Sequence, residues 1–223
     1  MSAVVPKYFS NIHGSSNPKK ALEEPRIKEL LQTSAVEYTR LPAAVLFRQA
    51  TAQDVGSENA LTTWIIDHRG QLVVESYKEF TKGDVDKGIY ILRYPAPLGK
   101  GKTGALVYNE WFMGKREFGE RYRAESALGQ HAAGMPGYKE AFAQGEVKRR
   151  GILVDPEVIE VLGGADGTAL LMAPWGLPMR CVLGGLLTQD GYSIGPGILR
   201  DQYVATPPPH AAQTSHGLKK PRQ

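Results

Sequence analysis

Residues 96–103, with the sequence APLGKGKT, have the spacing of a phosphate-binding loop, in which Ala or Gly precedes Gly-Lys-Thr by four residues. In such a loop a strand leads into the glycines, and a helix follows whose free N–H groups hold the phosphates. The candidate phosphate-binding residues are Lys100, Gly101, Lys102 and Thr103. The preceding GIYILRY predicts the strand, but the following GALVYNEW is typical of another strand. We therefore favour a basic hairpin loop over a phosphate site.

A second group of residues combines basic and aromatic side chains, as does a surface that stacks bases and binds phosphates. The candidate nucleic-acid-binding residues are Trp111, Lys115, Arg116, Arg121 and Arg123. Glu117 and Glu120 lie among them and offset their charge, which favours an ordinary solvated face. The net charge of +4 is only mildly basic, so nucleic-acid binding is a candidate function but not the favoured one.

Catalytic and metal-binding patterns are not evident in the sequence. None of the five histidines has a second histidine or a carboxylate at ligand spacing on a predicted helix. Asp67, Glu75 and Lys78 are similar to the acid, acid and lysine set of a nuclease, but the two residues before Lys78 break the usual Glu-x-Lys spacing. Cys181 is the only cysteine and is predicted to be a core residue. We therefore predict no catalytic residue, no metal and no cofactor.

These residues must be positioned by a short helical segment and a series of strands. Residues 16–35 predict one amphipathic helix, or two that join at Pro25. The stretch TTWIIDHRGQLVVESY predicts two strands with a turn at residues 68–71. In ILVDPEVIEVLGG, Asp155 is predicted to cap a helix that begins at Pro156 and stops at Gly163.

An internal repeat emerges when the chain is compared with itself at a shift of about 80 residues. GALV at residues 104–107 aligns with GGLL at residues 184–187, and Trp111 aligns with Tyr192. Phe118-x-x-x-Tyr122 then aligns with Leu199-x-x-x-Tyr203. The common order predicts two related β-rich units, in which the two closing tyrosines occupy equivalent, largely buried places.

The two aligned segments, KTGALVYNEWFMGKREFGERY and VLGGLLTQDGYSIGPGILRDQY, resemble the bacterial and phage proteins of the PGDYG family. The family pattern is a glycine-led strand, a second strand and a closing Phe-x-x-x-Tyr. The Pro-Gly-Asp-Tyr that gives the family its name is absent from both segments, where TGAL and LGGL stand in its place. The resemblance implies a β-rich unit and a bacterial or phage source, and it implies no particular activity.

Together these features predict an α+β protein with an internal duplication and a short N-terminal helical segment. The predicted units are a leader and helix at 1–40, β-rich units at 41–126 and 127–204, and a disordered basic tail at 205–223. We expect a non-enzymatic binding or assembly protein, with a protein partner or self-assembly favoured. The alternative is a nucleotide-binding or phosphate-binding enzyme or sensor that uses residues 96–104. No apolar run approaches a membrane span and no signal peptide is evident, so we expect a cytoplasmic protein, or a virion protein if the source is a phage.

Overall fold

A computed structural model describes residues 18–124 and 137–206. The predicted leader at 1–17 and all of the predicted tail beyond residue 206 lie outside the described residues. The helices in the described part are α1 (Pro25–Thr33), α2 (Lys82–Asp86), α3 (Lys115–Arg121), α4 (Pro156–Val161) and α5 (Pro196–Gln202). The strands before the gap are β1 (Val36–Arg40), β2 (Ala44–Gln49), β3 (Leu61–Ile66), β4 (Leu72–Lys78), β5 (Tyr90–Arg93), β6 (Gly99–Lys100), β7 (Leu106–Val107), β8 (Glu110–Met113) and β9 (Tyr122–Ala124). The strands after the gap are β10 (Lys139–Ala143), β11 (Lys148–Leu153), β12 (Thr168–Met172), β13 (Pro178–Val182), β14 (Leu186–Thr188), β15 (Ser193–Ile194) and β16 (Tyr203–Ala205).

The strands form three antiparallel sheets and one two-stranded ribbon, which confirms a β-rich α+β architecture. Sheet 1 has the order β8-β5-β2-β10-β9, and sheet 2 has the order β15-β14-β11-β1-β16. Sheet 3 has the order β12-β13-β4-β3, and β6 pairs with β7 in the ribbon. Sheet 1 thus contains β10, which lies after the predicted boundary, and sheet 2 contains β1, which lies before it. The predicted boundary between residues 126 and 127 therefore does not separate the two sheets.

The turn between β3 and β4 follows from local chemistry, as predicted. Asp67 Oδ1 accepts hydrogen bonds from the backbone N–H groups of Arg69 and Gln71, at 2.9 and 2.8 Å. Gly70 adopts a φ of 75°, in the left-handed region that glycine enters without a steric cost. β3 alternates between buried and half-buried residues along its length, because one face of the strand packs inside the molecule.

The predicted break at Pro25 and the predicted ends of the helix after Asp155 are also confirmed, whereas residues 18–20, at the predicted start of the first helical segment, are not helical. α1 begins at Pro25, directly after a short 3₁₀ turn at Ala21–Glu23, so the helical segment has two parts that join at this proline. The carboxylate of Asp155 accepts a hydrogen bond from the backbone N–H of Val158 at 2.9 Å and caps α4. Gly163 follows the end of α4 with a φ of 74°.

Among the hydrophobic clusters of the described residues, two are the largest. One core lies under α1 and α4 and includes Ile27, Leu162 and Cys181, so the prediction of a core cysteine is confirmed. The other core lies on sheet 1 and is aromatic. There, Phe118 packs on Phe47 and on Tyr122, with ring centroids 4.6 and 5.4 Å apart. Each buried ring contributes about 2 to 3 kcal/mol of hydrophobic free energy.

One part of the predicted alignment is wrong. Residues 104–107 contain β7, which pairs with β6 in the ribbon, whereas residues 184–187 lead into β14, which pairs with β11 and β15 inside sheet 2. The strand that lies beside the aromatic strand β8 is β5, and residues 94–109 form a hairpin excursion between them. The alignment paired GALV with GGLL because glycine, leucine and valine occur in a hairpin as readily as in a sheet strand.

Candidate binding cleft

A cleft of about 510 Å³ lies where sheets 1, 2 and 3 approach one another. Its size falls within the range of about 300 to 1,000 Å³ that is typical of small-molecule sites. The aromatic side chains that line it are Tyr94, Trp111, Phe112, Tyr122, Trp175, Tyr192 and Tyr203. Two ring pairs in the lining are close, since Trp111 lies 4.8 Å from Tyr94 and Trp175 lies 6.0 Å from Tyr192, between centroids. The walls are therefore suited to a flat organic group.

Arg40 enters the cleft from the end of β1. Its guanidinium donates hydrogen bonds to the hydroxyl oxygens of Tyr122, at 2.6 Å, and of Tyr94, at 3.2 Å. Its carbon Cζ lies 5.7 Å from the ring centroid of Tyr94 and 5.8 Å from that of Tyr122, within cation–π range. Its Nε atom is buried and has no hydrogen-bond partner. Among the described residues, no carboxylate lies within 4 Å of this guanidinium.

Arg149 enters the cleft from the neighbouring strand, β11. One of its terminal nitrogens donates to the backbone carbonyl of Lys148 at 3.0 Å, while its Nε atom is buried without a partner. Within the described ranges it forms no ion pair with a carboxylate. Like Arg40, it brings a buried donor and an unbalanced charge to the cleft.

The strand register places these two arginines on the same face of sheet 2. Tyr38 in β1 lies opposite Arg149, and the backbone N–H of Arg40 donates to the carbonyl of Val147 at 2.8 Å. Arg40 and Arg149 are therefore diagonal neighbours, and in an antiparallel pair the Cα atoms of such neighbours lie roughly 7 to 8 Å apart. Two neighbouring guanidiniums repel each other, and burial of charge without a counterion is costly. An anion bound between them would relieve both costs.

The tyrosines do not supply this anion. Burial raises the pKa of Tyr192 to about 12, and it also raises the pKa values of Tyr94 and Tyr203. The nearby Arg40 guanidinium acts in the opposite direction on Tyr94, but burial dominates. The three hydroxyls consequently remain protonated near neutral pH, and they contribute hydrogen bonds to the cleft without neutralising the arginines.

The other charged groups of the lining lie nearer to solvent. The Arg121 guanidinium forms an ion pair with Glu117, at 2.9 Å, and both side chains are close to half exposed. Asp190 is exposed, in the turn before Tyr192. Neither acid lies within ion-pair distance of Arg40 or Arg149 in the described chain.

A buried carboxyl group lines another part of the same cleft. Glu75, in β4, is only 7% exposed and accepts no hydrogen bond from a described residue. Burial raises its pKa to about 8. Ser193, in β15, is 3% exposed, and its hydroxyl has no hydrogen bond of normal geometry, although it lies near the thiol of Cys181. Burial raises the pKa of that thiol to about 12, so it too is uncharged.

The candidate phosphate residues do not line this cleft. Lys100 ends β6, and the turn after it is closed by hydrogen bonds from the Gly101 N–H to the Ala105 carbonyl and from the Gly104 N–H to the Gly101 carbonyl, at 2.8 and 2.9 Å. Lys102 and Thr103 are exposed at its tip. The strand β7 follows where a phosphate-binding loop would have a helix. Phosphate binding at this hairpin stays a prediction.

The candidate nucleic-acid residues are divided between the cleft and the open surface. Trp111 and Arg121 line the cleft, whereas Lys115, Arg116 and Arg123 are exposed outside it. Arg116 lies 3.6 Å from Glu120, one helical turn away, so local charge compensation is present on α3. Nucleic-acid binding through these five residues also stays a prediction.

No sequence pattern indicates a binding role for Arg40 or Ser193. Arg149 stands out in the sequence only as one of three consecutive basic residues, and Glu75 only as part of a nuclease pattern. For Glu75 the available signal is its position directly after the apolar run Leu72-Val73-Val74 of a predicted strand. Arg40 and Arg149 have no comparable signal, because other charged residues share their strands. In the described ranges, no group of three or more His, Cys, Asp or Glu side chains is arranged to hold a metal ion. No helix in the same ranges is long and apolar enough to cross a membrane.

Comparison of the chain with protein-family models, with curated proteins and with solved structures finds no match.

Proposed function

We propose that this protein is a non-enzymatic binding protein whose cleft binds a small organic anion. The observation that carries the proposal is the pair of arginines, Arg40 and Arg149, on one face of sheet 2 with no carboxylate partner in the described chain. Each has a buried Nε–H that lacks an acceptor. A carboxylate or phosphate oxygen accepts from a guanidinium in a charge-assisted hydrogen bond, which supplies both the missing acceptor and the missing charge.

The organic part of the ligand is indicated by the walls of the cleft. Two indole rings and four phenol rings belong to the lining, and a volume of about 510 Å³ accommodates a molecule much larger than an inorganic ion. Aromatic pairs contribute about 0.5 to 1.5 kcal/mol beyond the burial of their area. A ligand with one aromatic ring and one carboxylate therefore fits both features.

The test uses indole-3-propionate as the probe and isothermal titration calorimetry as the measurement. A hydrogen bond to a charged group contributes about 1.5 to 3 kcal/mol, so Arg149→Gln should weaken binding by about 10-fold or more. Arg150→Gln is the matched control, because Arg150 belongs to the same strand but is exposed on its other face. Arg40→Gln should also weaken binding, with folding checked by circular dichroism. The proposal fails if the probe does not bind, or if Arg149→Gln and Arg150→Gln have equal effects.

We also propose that the fold arose by internal duplication of a PGDYG-like unit, with exchange of one strand. In support, sheets 1 and 2 have corresponding strand orders, with β10 in sheet 1 matching β1 in sheet 2. The seven-residue helices α3 and α5 each follow a glycine with nearly the same dihedral angles, φ −66° and ψ 149° at Gly114 and φ −62° and ψ 150° at Gly195. The exchanged strands are anchored alike, since the N–H groups of Leu41 and Gln144 donate to the last carbonyls of α5 and α3.

A further inference from the structure

Among the described residues, no ion pair joins Glu75 to an arginine of the cleft. Burial is the cause of its raised pKa, and no described cation lies close enough to lower that pKa. A carboxyl beside Arg40 or Arg149 would have a depressed pKa instead. The lining of the cleft therefore contains a cationic pair, Arg40 and Arg149, and a second polar pair, the Glu75 carboxyl and the Ser193 hydroxyl.

The residues packed around Glu75 leave its carboxyl unsatisfied. From β3, the Thr63 hydroxyl donates instead to the carbonyl of Glu110 at 2.6 Å. From β13, the Arg180 Nε donates to the carbonyl of Val74 at 2.8 Å, and the Cys181 thiol is uncharged. Together with the Ser193 hydroxyl from β15, these are the polar and titratable groups that the neighbouring strands bring to this side of the cleft.

We infer that the ligand is amphoteric, with an anionic group held by Arg40 and Arg149 and a protonated amine that donates to the carboxylate of Glu75 and to the hydroxyl of Ser193. The inference rests on the proposed function, because it assigns a second charged group to the same ligand. A buried polar group without a partner is destabilising, and native proteins retain few of them. A ligand ammonium, with three N–H donors, satisfies both groups at once.

Binding of such a ligand is coupled to proton release. Without ligand the Glu75 carboxyl holds a proton at pH 7, because its pKa is about 8. A bound ammonium favours the ionised carboxylate, so the proton passes from Glu75 to the buffer while the ligand amine keeps its own. Affinity should consequently rise by up to 10-fold per pH unit between pH 6 and 8, and level off above pH 8.

The experiment compares L-tryptophan with indole-3-propionate, which has the same ring and carboxylate but no amine. Both are titrated calorimetrically at pH 6 and pH 8, and at pH 7 in two buffers with different ionisation enthalpies. We expect tryptophan to bind at least 10-fold more tightly than indole-3-propionate at pH 8, with close to one proton released per ligand at pH 7. Glu75→Gln should abolish both the advantage of tryptophan over indole-3-propionate and the proton release. Glu58→Gln, at an exposed glutamate, is the matched control.

The outcomes separate this inference from the proposed function. If indole-3-propionate binds through the arginines but tryptophan binds no better, or if Glu75→Gln leaves the tryptophan advantage intact, the amphoteric ligand is excluded and the anion site stands. If indole-3-propionate does not bind, the anion site is refuted and the inference with it. Glu75→Asp keeps a carboxyl in the cleft and should retain part of the advantage, which distinguishes loss of charge from loss of packing.

Discussion

Replacement of Glu75 by glutamine should stabilise the protein at alkaline pH. The carboxyl of Glu75 is buried in β4, and its pKa is about 8 instead of the ordinary 4.5. In the folded protein it must therefore lose its proton inside the structure as the pH rises, whereas in the unfolded chain it ionises in water. Glutamine has the same shape and never ionises, so the variant escapes this cost.

The sign follows from the protons bound in each state. Between pH 4.5 and 8 the folded protein holds a proton on Glu75 that the unfolded chain has lost, so stability falls as the pH rises. The contribution of Glu75 to the free energy of unfolding is fully present below pH 4.5 and is lost by pH 8. The full difference in pKa corresponds to about 5 kcal/mol, and relaxation with water entry reduces it, so we expect an effect of about 2 to 5 kcal/mol.

The assay is urea unfolding of the wild type, Glu75→Gln and Glu58→Gln at intervals from pH 4.5 to 9. The free energy of unfolding of Glu75→Gln, relative to the wild type, should be close to zero at pH 4.5, rise by up to about 1.4 kcal/mol per pH unit, and level off above pH 8. Glu58→Gln should show no such trend, because Glu58 is exposed. A flat difference curve for Glu75→Gln, or a variant less stable than the wild type at pH 9, would refute the assigned burial and protonation of Glu75.

Two further predictions concern packing and use the same unfolding measurement. Tyr122→Ala should cost about 3 to 5 kcal/mol, because it removes a ring that is 4% exposed and leaves a cavity, whereas Lys102→Ala should change stability by less than about 0.5 kcal/mol. Tyr203→Ala should cost less than Tyr122→Ala, since Tyr203 is only half-buried, and equal losses would contradict this packing. Gly151→Ala should cost several kcal/mol, because its new Cβ would lie 2.4 Å from a carbonyl oxygen of the neighbouring strand, whereas Gly99→Ala meets no atom within 4 Å and should be nearly neutral.

The features that sequence predicts well are those determined within a few residues. The turn at Asp67 depends on one carboxylate that accepts from two nearby N–H groups and on one glycine, and all four residues lie within residues 67–71. The cap of α4 depends likewise on Asp155 and the N–H three residues later. Such local hydrogen bonds compete only with water, so the same residue types predict the same geometry in most contexts.

The pairing partners of β1 and β10 and the position of the cleft could not be predicted in this way, because they depend on pairing over long sequence separations. β1 and β2 are consecutive, and a hairpin between them is the simplest expectation, yet β1 pairs with β11 and β16. The apolar pattern of a strand fixes which face is buried but not which neighbour it pairs with. Arg40 and Arg149 are neighbours on one face of sheet 2 because of that pairing register, although more than 100 residues separate them in the sequence.

The pairing of β1 within sheet 2 also explains why the cleft forms where it does. β1 belongs to sheet 2, but the guanidinium at its end donates to Tyr94, which follows β5, and to Tyr122 in β9, both on the side of sheet 1. Arg40 therefore ties the two sheets together while its Nε still lacks an acceptor. Arg149 makes no comparable contact with a sheet 1 side chain in the described chain, since its guanidinium donates to the backbone carbonyl of Lys148 in its own strand. Loss of Arg40 should thus weaken both folding and binding, whereas loss of Arg149 should act on binding alone, which makes Arg149 the residue that separates a ligand site from a structural crosslink.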